Sequence, residues 1–253
     1  MWCFMERMLY AYILTADNSQ SPCYTDGIYT LACCKPQIRR MILKKWKKKL
    51  DDGKAEVWVC GVRHDKARKE VYIAYLAKID KVMKLEEYYD SDGPYRFRND
   101  CYYRNAYTLY DEDGKLPKKR SSDDIRDRCP ELYAREGNEH GVLNKGEPLT
   151  ENQCRDICGA AVLLSEHFIH CSCDCFSDIF ELSRRLSPAF DAFLQDARTK
   201  TQGHWCSFNE WDALDKVLPG IPLGIHKDVK PLDMEECRNT CGEKRKRMSY
   251  GIC

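Results

Sequence analysis

The sequence predicts an α+β protein, a curved mixed or antiparallel sheet or small barrel followed by a cap of helices. Three observations carry that expectation. Two apolar, β-branched runs, 55–63 (AEVWVCGVR) and 70–80 (EVYIAYLAKID), are separated by a short polar link, which makes them neighbouring antiparallel strands. Ahead of them, Pro36 opens a segment with apolar residues at helical spacing. Beyond residue 176 the chain reads as one helical pattern after another.

Taken in order, residues 8–16 (MLYAYILTA) read as a first strand and Asp17 to Gly27 as a loop. Asp26-Gly27 is a turn pair, because Gly tolerates positive φ and Asp bonds its own backbone. The helix after Pro36 carries an apolar stripe of Ile38, Met41, Ile42 and Trp46. Arg39, Arg40, Lys44, Lys47 and Lys48 fall mostly off that stripe, and Gly53 stops the helix. Residues 83–91 suit a short helix or turn, Pro94 to Arg98 a connector, and 101–110 one or two further strands. The stretch from Asp111 to Thr150 is a long charged loop, a length usually tied to function or motion. A short helix over 151–158, capped by Thr150, leads to a strand over 160–165 (AAVLLS). Three helices follow: FSDIFELSRRL, SPAFDAFLQDARTK with Ser187 as N-cap before Pro188, and FNEWDALDKVL capped by Ser207. These elements make one domain over 8–225, with the sheet in 8–170, the helical cap in 176–225 and a charged tail over 226–253.

Composition limits what such a chain can do. An apolar fraction of 43% with 32% charged residues belongs to a packed protein, not a disordered one. The formal net charge is only +1, so any nucleic-acid footprint is a local patch. No apolar run approaches the ~20 residues of a membrane span. The opening MWCFMERMLYAYIL is broken by Glu6 and Arg7 and lacks the marks of a signal peptide. With no export signal, the 16 cysteines are expected mainly as reduced, buried thiols of a cytoplasmic protein, bacterial or in a phage-infected host. A disulfide framework stays open as the alternative.

Candidate functional residues fall into three groups. The first is a cationic surface of Lys35, Arg39, Arg40, Lys44 and Lys48, suited to phosphate because Arg forks onto two oxygens and Lys supplies a point charge. Its plain alternative is a solvated face that keeps the helix soluble. Aromatics flank it: Tyr24, Tyr29, Trp58, Tyr102 and Tyr103. Stacking on a base contributes about 1–3 kcal/mol each, and filling the core is the alternative, the preferred one for Trp58. The second group is Ser165 and His167, two apart at the end of a strand and so expected on one face, with Cys34 near a helix N-terminus where a thiolate is stabilised. The third is a set of weak zinc candidates, Cys154, Cys158, Cys171, Cys173 and Cys175, near His170. Their alternating spacing departs from the usual paired knuckle, so no cofactor is predicted. Cys237 and Cys241 repeat the four-residue spacing in the tail.

Several of these residues sit in motifs that resemble a known family, the second type of nucleotide modification associated domain. Thr30, Leu31, Ala32, Cys34, Lys35, Pro36, Ile38 and Arg39 match its Thr-Leu-Ala-x-Cys-Lys-Pro-x-Ile-Arg segment. Trp58-Val59-x-Gly61 is similar to its Gly-Asp-Trp-Val strand, with Glu56-Val57 in place of Gly-Asp. Asp100-x-Tyr102-Tyr103 is similar to its tyrosine-rich segment. Leu163-Leu164-Ser165-x-His167-Phe168 is similar to its Leu-Ile-Ser-x-His-Phe block, with His170-Cys171-Ser172 replacing the aromatic-Gly ending. The resemblance implies a role near modified bases in DNA, in phage or bacterial modification systems. It also implies a PUA-like sheet, a fold whose aromatic mouth holds a flipped base. The expected function is binding of a nucleotide or modified base, with an enzyme working through Ser165 and His167 or Cys34 as the alternative. A cysteine-based metal or redox protein is the third reading.

Overall fold

The computed structural model describes residues 5–14, 21–65, 70–90, 92–98, 100–101, 103–104, 133–134, 156–170, 192, 215 and 223–225. In chain order its elements are β1 (Glu6–Ile13), β2 (Tyr29–Leu31), α1 (Pro36–Lys45), α2 (Lys47–Asp51), β3 (Ala55–Asp65), β4 (Glu70–Lys78), β5 (Lys81–Lys84), α3 (Leu85–Tyr88), β6 (Tyr103–Arg104), β7 (Tyr133–Ala134), β8 (Ala161–Ser165), β9 (His167–His170) and β10 (Gly224–Ile225). The chain divides into two compact units. The fold is α+β as expected. The single curved sheet or barrel over 8–170 is corrected: the described strands form separate five- and three-stranded sheets, with a two-stranded ribbon of β6 and β7 beside them in sequence order. The expected helical cap and tail lie outside the described residues, apart from isolated positions.

One unit holds the sheet β1-β3-β4-β9-β10. The apolar runs pair as expected: β3 and β4 are antiparallel, from Trp58 opposite Lys78 to Asp65 opposite Glu70. β9 adds antiparallel to β4, and β10 parallel to β9. Residues 55–62 and 73–77 are buried on consecutive positions, so both sheet faces are covered there; continuous apolar runs are the sequence sign of such strands. The β3–β4 register shifts between Gly61 and Val62. Gly61 stands opposite Tyr75, and a Cβ on it would lie 2.1 Å from the Tyr75 ring. That ring packs edge-on to Tyr12 of β1, centroids 5.9 Å apart, and the two phenols share a hydrogen bond.

At the start of β3, Glu56 gathers three donors of the same unit. Arg7 Nε lies 2.9 Å from its Oε1, Trp58 Nε1 2.9 Å from the same oxygen, and Lys78 Nζ 3.5 Å from Oε2. Arg7 also forks onto Asp215 at 2.7 Å through each of two nitrogens. Burial works against ionisation of Glu56, but the Trp58 bond and the Arg7 and Lys78 charges outweigh it and hold the carboxyl below its ordinary value of 4.5. A carboxyl depressed in the fold stabilises it above the unfolded value and loses that contribution as pH falls through the folded one. Thermal melts of wild type should therefore drop as pH falls below about 4.5, and a Glu56→Gln variant should show a shallower drop over the same range. Parallel pH profiles of the two proteins would contradict this.

The other unit holds the sheet β2-β8-β5, antiparallel throughout, with Thr30 opposite Leu164 and Val82 opposite Leu163. Every residue of β8 is buried. Against this sheet packs a core of Ala32, Cys33, Met83, Leu85, Tyr88, Tyr89, Cys101, Ile157, Ala160, Val162 and Leu164. Residues 83–91, expected as helix or turn, split into the end of β5 and the short α3. Residues 156–158 are helical, within the expected short helix over 151–158.

Candidate functional site

The site is built around the entry to α1, in the unit carrying β2 and β8. β2 brings the chain in fully buried. Cys34 and Lys35 then take left-handed backbone, φ 56° and 44°, before Pro36 starts the helix. Two successive non-glycine residues in that region are uncommon and persist only where neighbours fix them. Here the neighbours are visible. The Cys34 N–H donates to Asp156 Oδ1 at 2.6 Å, and Ser21 Oγ donates to the Cys33 carbonyl at 2.9 Å.

Arg39 completes the fixing. Its side chain is fully buried. Nε donates to the Cys34 carbonyl at 2.8 Å, one terminal nitrogen to the Ala161 carbonyl at 2.8 Å, and the other to the Asp156 carbonyl at 2.5 Å. One guanidinium thus ties the turn before α1, the short helix at 156–158 and the first residue of β8. Room for it comes from Gly159, where a Cβ would lie 2.2 Å from the guanidinium carbon. The expectation that Arg39 sits on the cationic face is therefore corrected. Its planar fork of donors serves three backbone carbonyls at once, and Arg39 replaces Met41 on the buried stripe with Ile38, Ile42 and Trp46.

The other side of the helix carries the lysines. Lys44 and Lys48 are exposed, as is Lys45, while Lys35, Arg40, Lys47 and Lys49 are half-buried. Lys47 pairs with Asp51 at 2.7 Å and Lys49 lies over the Trp46 ring at 5.2 Å. Among the described residues, no carboxylate pairs with Lys44, Lys45 or Lys48. Cations in the last turn of α1 also suit the negative end of its dipole.

A second buried polar cluster braces the same unit. Asp100 is fully buried and accepts from Thr30 Oγ1 at 2.6 Å and Tyr88 Oη at 2.5 Å. Arg98 Nε lies 3.8 Å from Asp100 Oδ1, while its terminal nitrogens donate to the Thr25 and Ile28 carbonyls, each at 2.8 Å. Burial pushes the Asp100 carboxyl up, against the pull of Thr30, Tyr88 and Arg98 toward its charged form. Burial and Asp100 together push the Tyr88 phenol well up, so it stays a donor. This cluster fastens the 23–30 segment to the 98–100 segment and α3. Arg98 is a framework residue that the sequence reading passed over, placing it at the end of a connector.

The remaining candidates scatter. Ser165 is buried and ends β8; His167 is exposed and starts β9. The shared strand face expected for them is corrected, because the chain bends at Glu166, whose N–H donates to Asp80 Oδ2 at 2.7 Å. Burial and the nearby Asp156 push the Cys34 thiol up, the reverse of an activated nucleophile. Trp58 is buried with its Nε1 on Glu56, Tyr29 is buried in β2, and Tyr24 is half-buried. Tyr102 lies outside the described residues. So do Cys154, Cys171, Cys173 and Cys175; Cys158 is half-buried. Among the described residues, no three His, Cys, Asp or Glu side chains gather as a metal site.

A family model described as nucleotide modification associated domain 2 matches residues 5–175. The chain belongs to that family. Comparison with curated proteins and with solved structures returned no match. The nucleotide modification associated domain 2 match spans β1 to β9, so Arg39, the lysine face and the Arg98–Asp100 cluster all lie within it. Among the described residues no helix is long and apolar enough to cross a membrane.

Proposed function

We propose that this protein contacts DNA, or a nucleotide within it, through the lysine face of α1 and α2, as part of a base-modification or phage-defence system. One observation carries the reading: exposed, unneutralised lysines on a helix whose back is fastened to the core by Arg39. A rigid cationic surface loses little conformational freedom when a phosphate backbone docks. The family supports a nucleotide-bearing partner. The expected aromatic mouth of a PUA-like barrel is dropped from the proposal, since Tyr29 and Trp58 are buried. An enzyme using Ser165, His167 or Cys34 finds no support in their placement.

The test is binding to modified and unmodified DNA across a salt series. Wild type should weaken linearly on a log–log plot, and a Lys44→Glu/Lys45→Glu/Lys48→Glu variant should bind less tightly. Each phosphate contact contributes about 0.9 to the slope on duplex DNA, so losing three contacts should flatten it by about 2.7. Because all three side chains are exposed, the variant should stay folded, with its melting point lowered only by the reversed charges at the end of α1. Salt-independent binding, or a variant that binds as wild type does, would remove the reading.

A further inference from the structure

The turn after α3 carries an exposed aromatic that the lysine face does not explain. Phe97 is 72% exposed, although most of its neighbours in sequence are held firmly. Tyr95, two residues earlier, stacks on buried Tyr88, with centroids 5.1 Å apart and rings inclined by 23°. Arg98, immediately after, is the buried guanidinium bonded to the Thr25 and Ile28 carbonyls. Backbone turns close the segment: Arg96 N donates to the Gly93 carbonyl at 3.3 Å, Arg98 N to the Tyr95 carbonyl at 3.0 Å and Cys101 N to the Arg98 carbonyl at 3.1 Å. The backbone is anchored on both sides, and Arg96 and Phe97 are exposed between the anchors. The Arg96 guanidinium lies over the Phe97 ring, 4.6 Å from its centroid.

We infer that Arg96 and Phe97 form a stacking platform for a nucleobase. A planar base gains dispersion on the open face of the ring. The guanidinium behind it supplies the positive charge that a nucleic-acid strand favours. An aromatic carried on an anchored backbone turn gives up little backbone freedom on contact. A hydrophobic protein partner fits less well, because among the described residues the ring stands with the Arg96 guanidinium and exposed Asp92 in the same turn and not in a wide apolar patch.

This inference rests on the nucleic-acid reading above, and the experiment separates the two. The probes are a short mixed-sequence single-stranded oligodeoxynucleotide and an abasic strand of equal length. A Phe97→Ala variant should bind the base-bearing strand about 5- to 150-fold more weakly than wild type. It should bind the abasic strand as wild type does, and Phe97→Trp should retain full affinity. Equal binding of the base-bearing strand by wild type and Phe97→Ala overturns the platform and leaves the lysine face standing. An equal loss on both strands also overturns it, since the contact would then not be with a base. Absence of binding by wild type to either strand also overturns the platform, while the duplex salt series decides the lysine face separately.

Discussion

An Arg39→Met variant should lose about 3–5 kcal/mol of folding stability, because buried carbonyls lose a charged donor and each such loss costs about 1–3 kcal/mol. The side-chain volume is nearly kept, so packing loss is small. What goes is the donor set: the carbonyls of Cys34, Asp156 and Ala161 would each be left in the interior without their guanidinium partner. A buried carbonyl stripped of its donor costs about 1–3 kcal/mol. Arg39→Lys should recover only part of this, because a single ammonium does not reproduce three divergent planar bonds. Urea titration of the three proteins measures the effect. A loss below about 1 kcal/mol would show that the guanidinium does not fasten the turn before α1.

Asp100→Leu should be comparably severe, again about 3–5 kcal/mol, because it strands the buried Arg98 charge. It also removes the acceptor of both Thr30 and Tyr88. The companion measurement is the double variant Arg98→Met/Asp100→Leu. Removing both charges relieves the uncompensated cation, so the double variant should be less destabilised than the two single losses summed. Strict additivity would mean that the two side chains act separately. Comparison of denaturation midpoints across the cycle decides between these outcomes.

Much of the sheet was readable from residue order because its strands are continuous apolar runs. AEVWVCGVR and EVYIAYLAKID leave little choice, and Pro36 and Gly53 punctuate the helices at the expected ends; Gly53 has φ 66°. The short strands gave weaker signals. β2 is three residues, β5 is KVMK with two charges, and β9 is HFIH with polar ends, so none shows a periodic pattern. Pairing partners define them, and partners such as Thr30 and Leu164 are far apart in sequence.

The same distance hid the role of Arg39. By residue type it belongs to a cationic helix face, and three of its neighbours in sequence are indeed polar or charged. Its partners Asp156 and Ala161 are each more than a hundred residues away. The small-residue run Gly159-Ala160-Ala161 was the available hint that something large had to fit there. Arg98 and Asp100 posed a similar problem, since Arg98 reads as the end of a connector and Asp100 as part of a motif with the tyrosines that follow it, and their partners from Cys23 to Thr30 are some seventy residues away. The lysine face was legible because exposure is the default for lysine and needs no partner.

Gly159 and Arg39 form a lock and key within one chain, and that couples their histories. A side chain at 159 would occupy the space of the guanidinium, so no single replacement there is neutral while Arg39 stands. Any family member that abandons the arginine is released to fill the vacated volume, and any that keeps it is bound to the glycine. The two positions, 120 residues apart, should therefore drift as a pair during divergence.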